Sequence, residues 1–245
     1  MLFKALFLIV VLITNVIQCV TGFAGTVLAM PFSVMLVGYP VAKPILNILG
    51  LVASFSVAEP AFKRINYKEL AKMCGGMLAG MVVGFFINNH FDIAHNQAII
   101  CKSLGVIVIL FAFYNAVKHY AHKDEKTLPA PVNLLILFTA GVVHGVFVCG
   151  GPLLVTYASS KMTDKEEFHA TVSASWILLN GLIALSDYRA GYFTLPTINL
   201  LVVSLAVLVL AVIIGRIIYK KLSSEIFLRI TYVLMLISGL SLLVK

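Results

Sequence analysis

Apolar residues fill this chain in long runs, at approximately 2–37, 41–62, 69–88, 97–117, 131–160, 170–186, 194–215 and 224–244, with short polar loops between them. A run of roughly 17–25 apolar residues is what a helix needs to cross a hydrocarbon core of about 30 Å, so the pattern predicts a row of membrane-spanning helices. Two of the runs, 2–37 and 131–160, are too long for a single crossing. Each contains a stretch of small residues, Thr21–Pro31 (TGFAGTVLAMP) and Gly145–Pro152 (GVFVCGGP). Backbone that leaves the helix at bilayer depth strands N–H and C=O groups, and is tolerated where it is buried in protein or lines a cavity. Two such breaks at corresponding places in two halves point to a transporter's binding site. The polar stretch His119–Thr127 (HYAHKDEKT), followed by Pro129 and Pro131, is the only linker. It divides the chain into a membrane half at 1–117, a cytoplasmic linker at 118–130 and a second membrane half at 131–245.

Charge placement then orients the runs. If each broken run is a re-entrant hairpin returning to its starting side, the loops at 63–72, 118–127, 161–168 and 216–229 share one face. That face carries 13 Lys and Arg residues, against 5 on the other (Lys4, Lys43, Lys102, Arg189 and Lys245). If both broken runs cross fully, the split becomes 8 against 10. Cytoplasmic loops hold the excess of Lys and Arg, which favours hairpins with both termini outside. One hairpin plus three spans makes an odd number of crossings per half. The expected fold is therefore an all-α integral membrane protein of two inverted repeats, each a broken, re-entrant helix hairpin followed by three transmembrane helices. Sparse matches at an offset of 126 agree: Gln18 with His144, Gly25 with Gly151, Leu28 with Leu154, Ser33 with Ser159, Asn47 with Ser173 and Ser54 with Asn180. Gly76, Gly80 and Gly84 form two overlapping GxxxG steps that let another helix backbone approach closely, with Ala211 and Gly215 a weaker counterpart.

Composition narrows the class. The 245 residues are 61% hydrophobic and 11% charged, with mean hydropathy +1.04, where a soluble domain would be about a quarter charged. The net charge of +8 is spread over loops between apolar runs, which argues against nucleic-acid binding. Cys19, Cys74, Cys101 and Cys149 lie inside apolar runs without a CxxC pair, so they read as small buried hydrophobes; neither metal nor cofactor is expected. The N-terminal MLFKALFLIVVLITNVIQC resembles a signal peptide but lacks a small-x-small cleavage site, and is read as a retained membrane segment.

The breaks suggest a chemistry. A helix that starts in mid-membrane offers N–H groups and the positive end of its dipole to an anion. Gly22, Gly25, Gly150 and Gly151 permit a turn and close approach to a ligand, and Pro152 suits the first turn of a new helix. The nearby polar groups are neutral: Gln18, Thr21, Thr26, Asn47, Ser54, His144, Thr171, Ser173, Ser175 and Asn180, with Cys149 inside the second break. A cation carrier would place a carboxylate at mid-membrane, whereas hydroxyls, amides and backbone donors suit an anion. The expected substrate-binding residues are thus Gln18, Thr21, Gly22, Gly25, Thr26, Asn47, His144, Cys149, Gly150, Gly151, Ser173 and Asn180. For any single Ser or Thr, a bond to its own helix backbone is the plainer reading. His144 is the titratable group in a break and could carry a proton coupled to anion movement, although a lone histidine in an apolar span is more often a packing residue. Glu59 with Lys63, and Asp187 with Arg189, read as interfacial charges, and Trp176 as core packing.

Two halves that each open with a Gly-rich segment (TGFAGTVLAMP; GVFVCGGPLL) and are joined by a charged loop resemble the TauE/SafE sulfite-exporter family over essentially the whole chain. The first motif has Gly-Phe-Ala-Gly where such sequences often carry a glycine run; the second is closer. The resemblance implies a multi-pass carrier of the bacterial inner membrane moving sulfite, thiosulfate or organosulfonates, and the charge count adds termini in the periplasm. Its partners would be a small anion, coupled protons, the bilayer and, in a homo-oligomer, further copies of the chain. No GxxxxGK[ST] phosphate loop is present. An intramembrane enzyme fits poorly, since Cys149 and His144 are five residues apart and no HExxH occurs. A non-transporting membrane subunit or assembly factor, or a carrier of another small organic anion, are the competing readings.

Overall fold

A computed structural model of the chain describes residues 2–90 and 129–223, with isolated positions between 102 and 113 and between 225 and 243. The expected spans 97–117 and 224–244 fall largely outside the described residues, and Cys101 and the stretch His119–Thr127 wholly so. Among the described residues all regular structure is helical. The first half holds α1 (Leu2–Thr21), α2 (Ala24–Val37), α3 (Tyr39–Ala58), a 3₁₀ turn (Glu59–Arg64) and α4 (Tyr67–His90). The second holds α5 (Ala130–Phe147), α6 (Gly151–Ser159), α7 (Lys165–Arg189) and α8 (Leu195–Lys221). Six of these are long and apolar enough to cross a membrane. The 14 residues of α2 and the nine of α6 are not, since at 1.5 Å per residue they reach only about 21 and about 14 Å.

Both long runs break, and both double back. A β-carbon on Gly25 would lie 2.5 Å from Cβ of Gln18 and 2.6 Å from the Thr14 carbonyl oxygen, so α2 returns along α1. One on Gly150 would lie 2.4 Å from the Ala140 carbonyl oxygen, ten residues back, so α6 starts against α5. The turns are closed in the same way. Gly22 (φ 84°) and Val148 (φ 58°) take left-handed backbone, and their N–H groups bond the carbonyls of Gln18 (2.7 Å) and His144 (2.8 Å). This is the left-handed cap that commonly ends a helix, and it falls at positions separated by the offset of 126. Pro31 does not interrupt anything; it lies inside α2.

The two halves exchange partners. The last described helix of each packs along the first of the other, α4 on α5 and α8 on α1, while α3 and α7 pair across the centre. The α4–α5 crossing is the glycine-rich one. A β-carbon on Gly80 would lie 2.0 Å from the Phe138 carbonyl oxygen, and one on Gly141 2.0 Å from that of Met77. Gly215 sits likewise on Cys19, joining α8 to α1. In lipid there is no hydrophobic drive to bring helices together, so this backbone-to-backbone packing supplies the association. Glu59 and Lys63, read from the sequence as paired, form no ion pair with each other among the described residues.

Gly80→Ala should therefore lower the stability of detergent-purified protein by about 1–3 kcal/mol through overpacking. Gly75→Ala is the control, because a β-carbon there meets nothing within 4 Å. It should leave the thermal unfolding midpoint unchanged or raise it slightly.

Candidate functional site

The first break supplies its own hydrogen-bond partners. Thr21 Oγ1 donates to the Ile17 carbonyl (2.9 Å) and accepts from the N–H groups of Phe23 (3.4 Å) and Ala24 (3.2 Å). Gln18 Oε1 accepts the Gly25 N–H at 2.8 Å, and its Nε2 donates to the Gly22 carbonyl at 3.3 Å. The helix-start donors expected to face an anion are thus engaged by two side chains of α1. Gly22 stays small for a different reason: His169 and Ser173 of α7 lie 3.1 and 3.3 Å from where its β-carbon would be. At the second break Gly150 caps α6 without any side-chain bond, and Pro152 falls in the first turn. Cys149 Sγ contacts the Phe147 carbonyl at 3.1 Å. The breaks meet: a β-carbon on Gly151 would lie 3.0 Å from the Phe23 carbonyl oxygen.

A second cluster forms where α3, α5 and α7 converge. Asn47 Nδ2 donates to the Asn180 backbone carbonyl at 3.0 Å. The Asn180 side-chain oxygen lies 3.0 Å from His144 Nε2; an amide oxygen only accepts, so this nitrogen carries the imidazole proton. The Trp176 ring tilts against His144 with centroids 4.8 Å apart, walling the cluster as well as packing it. Asn47, His144, Trp176 and Asn180 are all at most 4% exposed. Yet Asn47 Oδ1, His144 Nδ1 and Trp176 Nε1 have no protein partner, and neither do Ser54 Oγ and Ser173 Oγ. A buried polar atom left unpaired costs about 1–3 kcal/mol, which makes the atoms of Asn47, His144 and Trp176 the candidate site. Thr26 joins the edge of the cluster: Gly50 lies between Thr26 Oγ1 and Asn180 Nδ2, at 3.3 and 3.1 Å from its would-be β-carbon. Thr171 and Ser175 are used elsewhere, Thr171 accepting the Asn66 N–H and Ser175 donating within its own helix.

One turn before Asn47 stands a residue that hydropathy misplaced. Lys43 is not a loop cation; it is fully buried and its Nζ lies 2.9 Å from Asp187 Oδ1. Asp187, read as an interfacial partner of Arg189, is 1% exposed and sits two turns beyond Asn180 on the same helix. The carboxylate-free interior suggested by the apolar runs is corrected accordingly. Both residues were trimmed from view by averaging, since each lies near a helix end beside apolar neighbours. Tyr39 and Tyr192 flank the ammonium, their ring centroids 5.9 and 5.6 Å from Nζ. Burial, and then the Asp187 carboxylate, hold the Tyr192 phenol above its ordinary pKa. Tyr39 also donates to the Val146 carbonyl at 2.5 Å, tying the start of α3 to the end of α5.

His169 is a further residue the sequence reading passed over. Its Nε2 lies 3.1 Å from the Cys19 carbonyl oxygen, and its ring stacks on Tyr219 at 4.2 Å. It borders a cavity of about 320 Å³ lined also by Glu166, Arg216, Tyr219 and Lys220, so a basic hollow reaches to within one side chain of the first break. An offset of 126 relates His169 to Lys43, which was a signal available in the sequence.

Thr21→Val removes the acceptor for two helix-start N–H groups and should destabilise the folded protein by about 1–2 kcal/mol. Ser175→Ala deletes only a bond within one helix and should stay within about 0.5 kcal/mol. Thermal unfolding of the two variants in one detergent checks both.

No match is found among curated proteins or among solved structures. A family model described as Sulfite exporter TauE/SafE matches residues 6–242. With its spanning helices, its two doubled-back breaks and this match over nearly its whole length, the chain belongs to the TauE/SafE sulfite-exporter family, multi-pass membrane transporters of sulfur-related anions.

Proposed function

We propose that the protein exports small sulfur-containing anions, such as sulfite, thiosulfate or organosulfonates, across a bacterial inner membrane by alternating access. The observation that carries this reading is the group of buried polar atoms without protein partners at Asn47, His144 and Trp176, where helices of both halves converge next to the meeting point of the breaks. An indole N–H is a donor suited to a sulfur oxyanion oxygen. His144 Nδ1 offers a place for a proton that would travel with the anion. The halves 1–117 and 131–245 meet at α3 and α7, where the site would open to either side in turn. The basic hollow beside His169 would be the cytoplasmic vestibule, and both termini would lie in the periplasm. Removing the buried Lys43 from the loop count leaves four cations on that outer face against 13, which strengthens the orientation. Expelling an anion from a negative-inside cell releases about 2.3 kcal/mol per charge per 100 mV, so ATP is not required.

Purified protein in liposomes should carry thiosulfate or sulfite when a potential is imposed, without ATP. Asn47→Ala and His144→Ala should each reduce that flux about tenfold or more, a loss of about 1.4 kcal/mol or greater. Ser175→Ala should leave it intact. Folded, monodisperse protein that moves no sulfur oxyanion overturns the reading.

A further inference from the structure

The Lys43–Asp187 pair calls for an explanation beyond stability. Replacing a buried ion pair by apolar residues of similar size is often neutral or stabilising, whereas removing one partner strands a charge. Both residues stand near the ends of spanning helices yet face protein and not water, and an ionisable pair so placed is a functional-site hypothesis. Here the pair also adjoins the unpartnered polar atoms. Lys43 stands one helical turn from Asn47, and Asp187 stands on the face of α7 that carries Asn180. Lys43 and Asp187 come from opposite halves of the chain, and the aromatic faces of Tyr39 and Tyr192 are both near Nζ. The ammonium therefore keeps favourable neighbours if its carboxylate leaves, because ring faces attract cations within about 6 Å.

We infer that Lys43 is the charge that receives the transported anion, and that Asp187 is an internal stand-in which holds Lys43 until an anion displaces it. The inference rests on the transport reading given above and adds to it the residue that sets the sign of the substrate. No bond is made or broken; one carboxylate–ammonium contact is exchanged for one anion–ammonium contact. Exchange also links binding to motion, since parting Lys43 from Asp187 loosens α3 from α7. When the carboxylate retakes the lysine, the anion is released and the halves are drawn together again.

The test measures thiosulfate uptake into proteoliposomes over a range of concentrations, with size-exclusion profiles to establish folding. Asp187→Asn removes the competitor. It should lower the KM for thiosulfate about tenfold, as when a site that is mostly occupied internally becomes free, and should also lower the maximal rate because release is slowed. Lys43→Gln should abolish saturable uptake. The double variant Lys43→Met/Asp187→Leu leaves no unpaired charge and should fold, yet should show no saturable uptake. If that folded double variant transports thiosulfate with the wild-type KM, the pair is structural and the inference is overturned. A rise in KM for Asp187→Asn overturns it as well. Both results require active wild-type protein, so they are distinct from failure of the transport reading, in which wild-type vesicles move neither thiosulfate nor sulfite.

Discussion

In hydrocarbon a backbone N–H or C=O without a partner is expensive, and this chain interrupts its helices twice. The rest of the architecture follows from how those interruptions are closed. Each uses one left-handed residue whose N–H returns to the carbonyl four positions back. At the first break glycine adopts that conformation freely. At the second a valine adopts it, in a buried position. The remaining donors of the first break are taken by Thr21 and Gln18, whereas α6 begins on Gly150 and Pro152 with no side-chain cap. The two breaks are thus alike in backbone and unlike in side chains.

The closest glycine packing and the cross-half polar contacts lie on different interfaces. The α4–α5 crossing is built from glycines in backbone contact. The α3–α7 interface holds an ion pair, an asparagine bonded across the halves, and buried polar atoms that the protein leaves unpaired.

Much of the architecture was legible in the sequence. Hydropathy placed α3, α4, α7 and α8 with ends no more than about six residues off, and the glycine stretches located both breaks. Asn47, His144 and Asn180 were singled out because amides and imidazole are costly to bury without a purpose. Gln18 and Thr21 were also singled out, but they cap their own break, because a donor exposed by a turn is met first by the nearest acceptor along the chain. Lys43 reads from the sequence as a loop cation and Asp187 as an interfacial charge, and nothing in the apolar pattern marks His169. A hydropathy window averages one charge against many apolar neighbours, and a charge near a helix end looks the same whether it faces water or protein.

The sequence by itself determined what depends on neighbours along the chain: helix lengths, where helices break, which residues tolerate close approach, and the membrane environment. Only the tertiary structure decided which polar groups meet. That depends on the antiparallel register of α3 and α7, which sets Lys43 against Asp187 and Asn47 against Asn180. Register is fixed by side-chain packing between distant segments, and no local pattern encodes it.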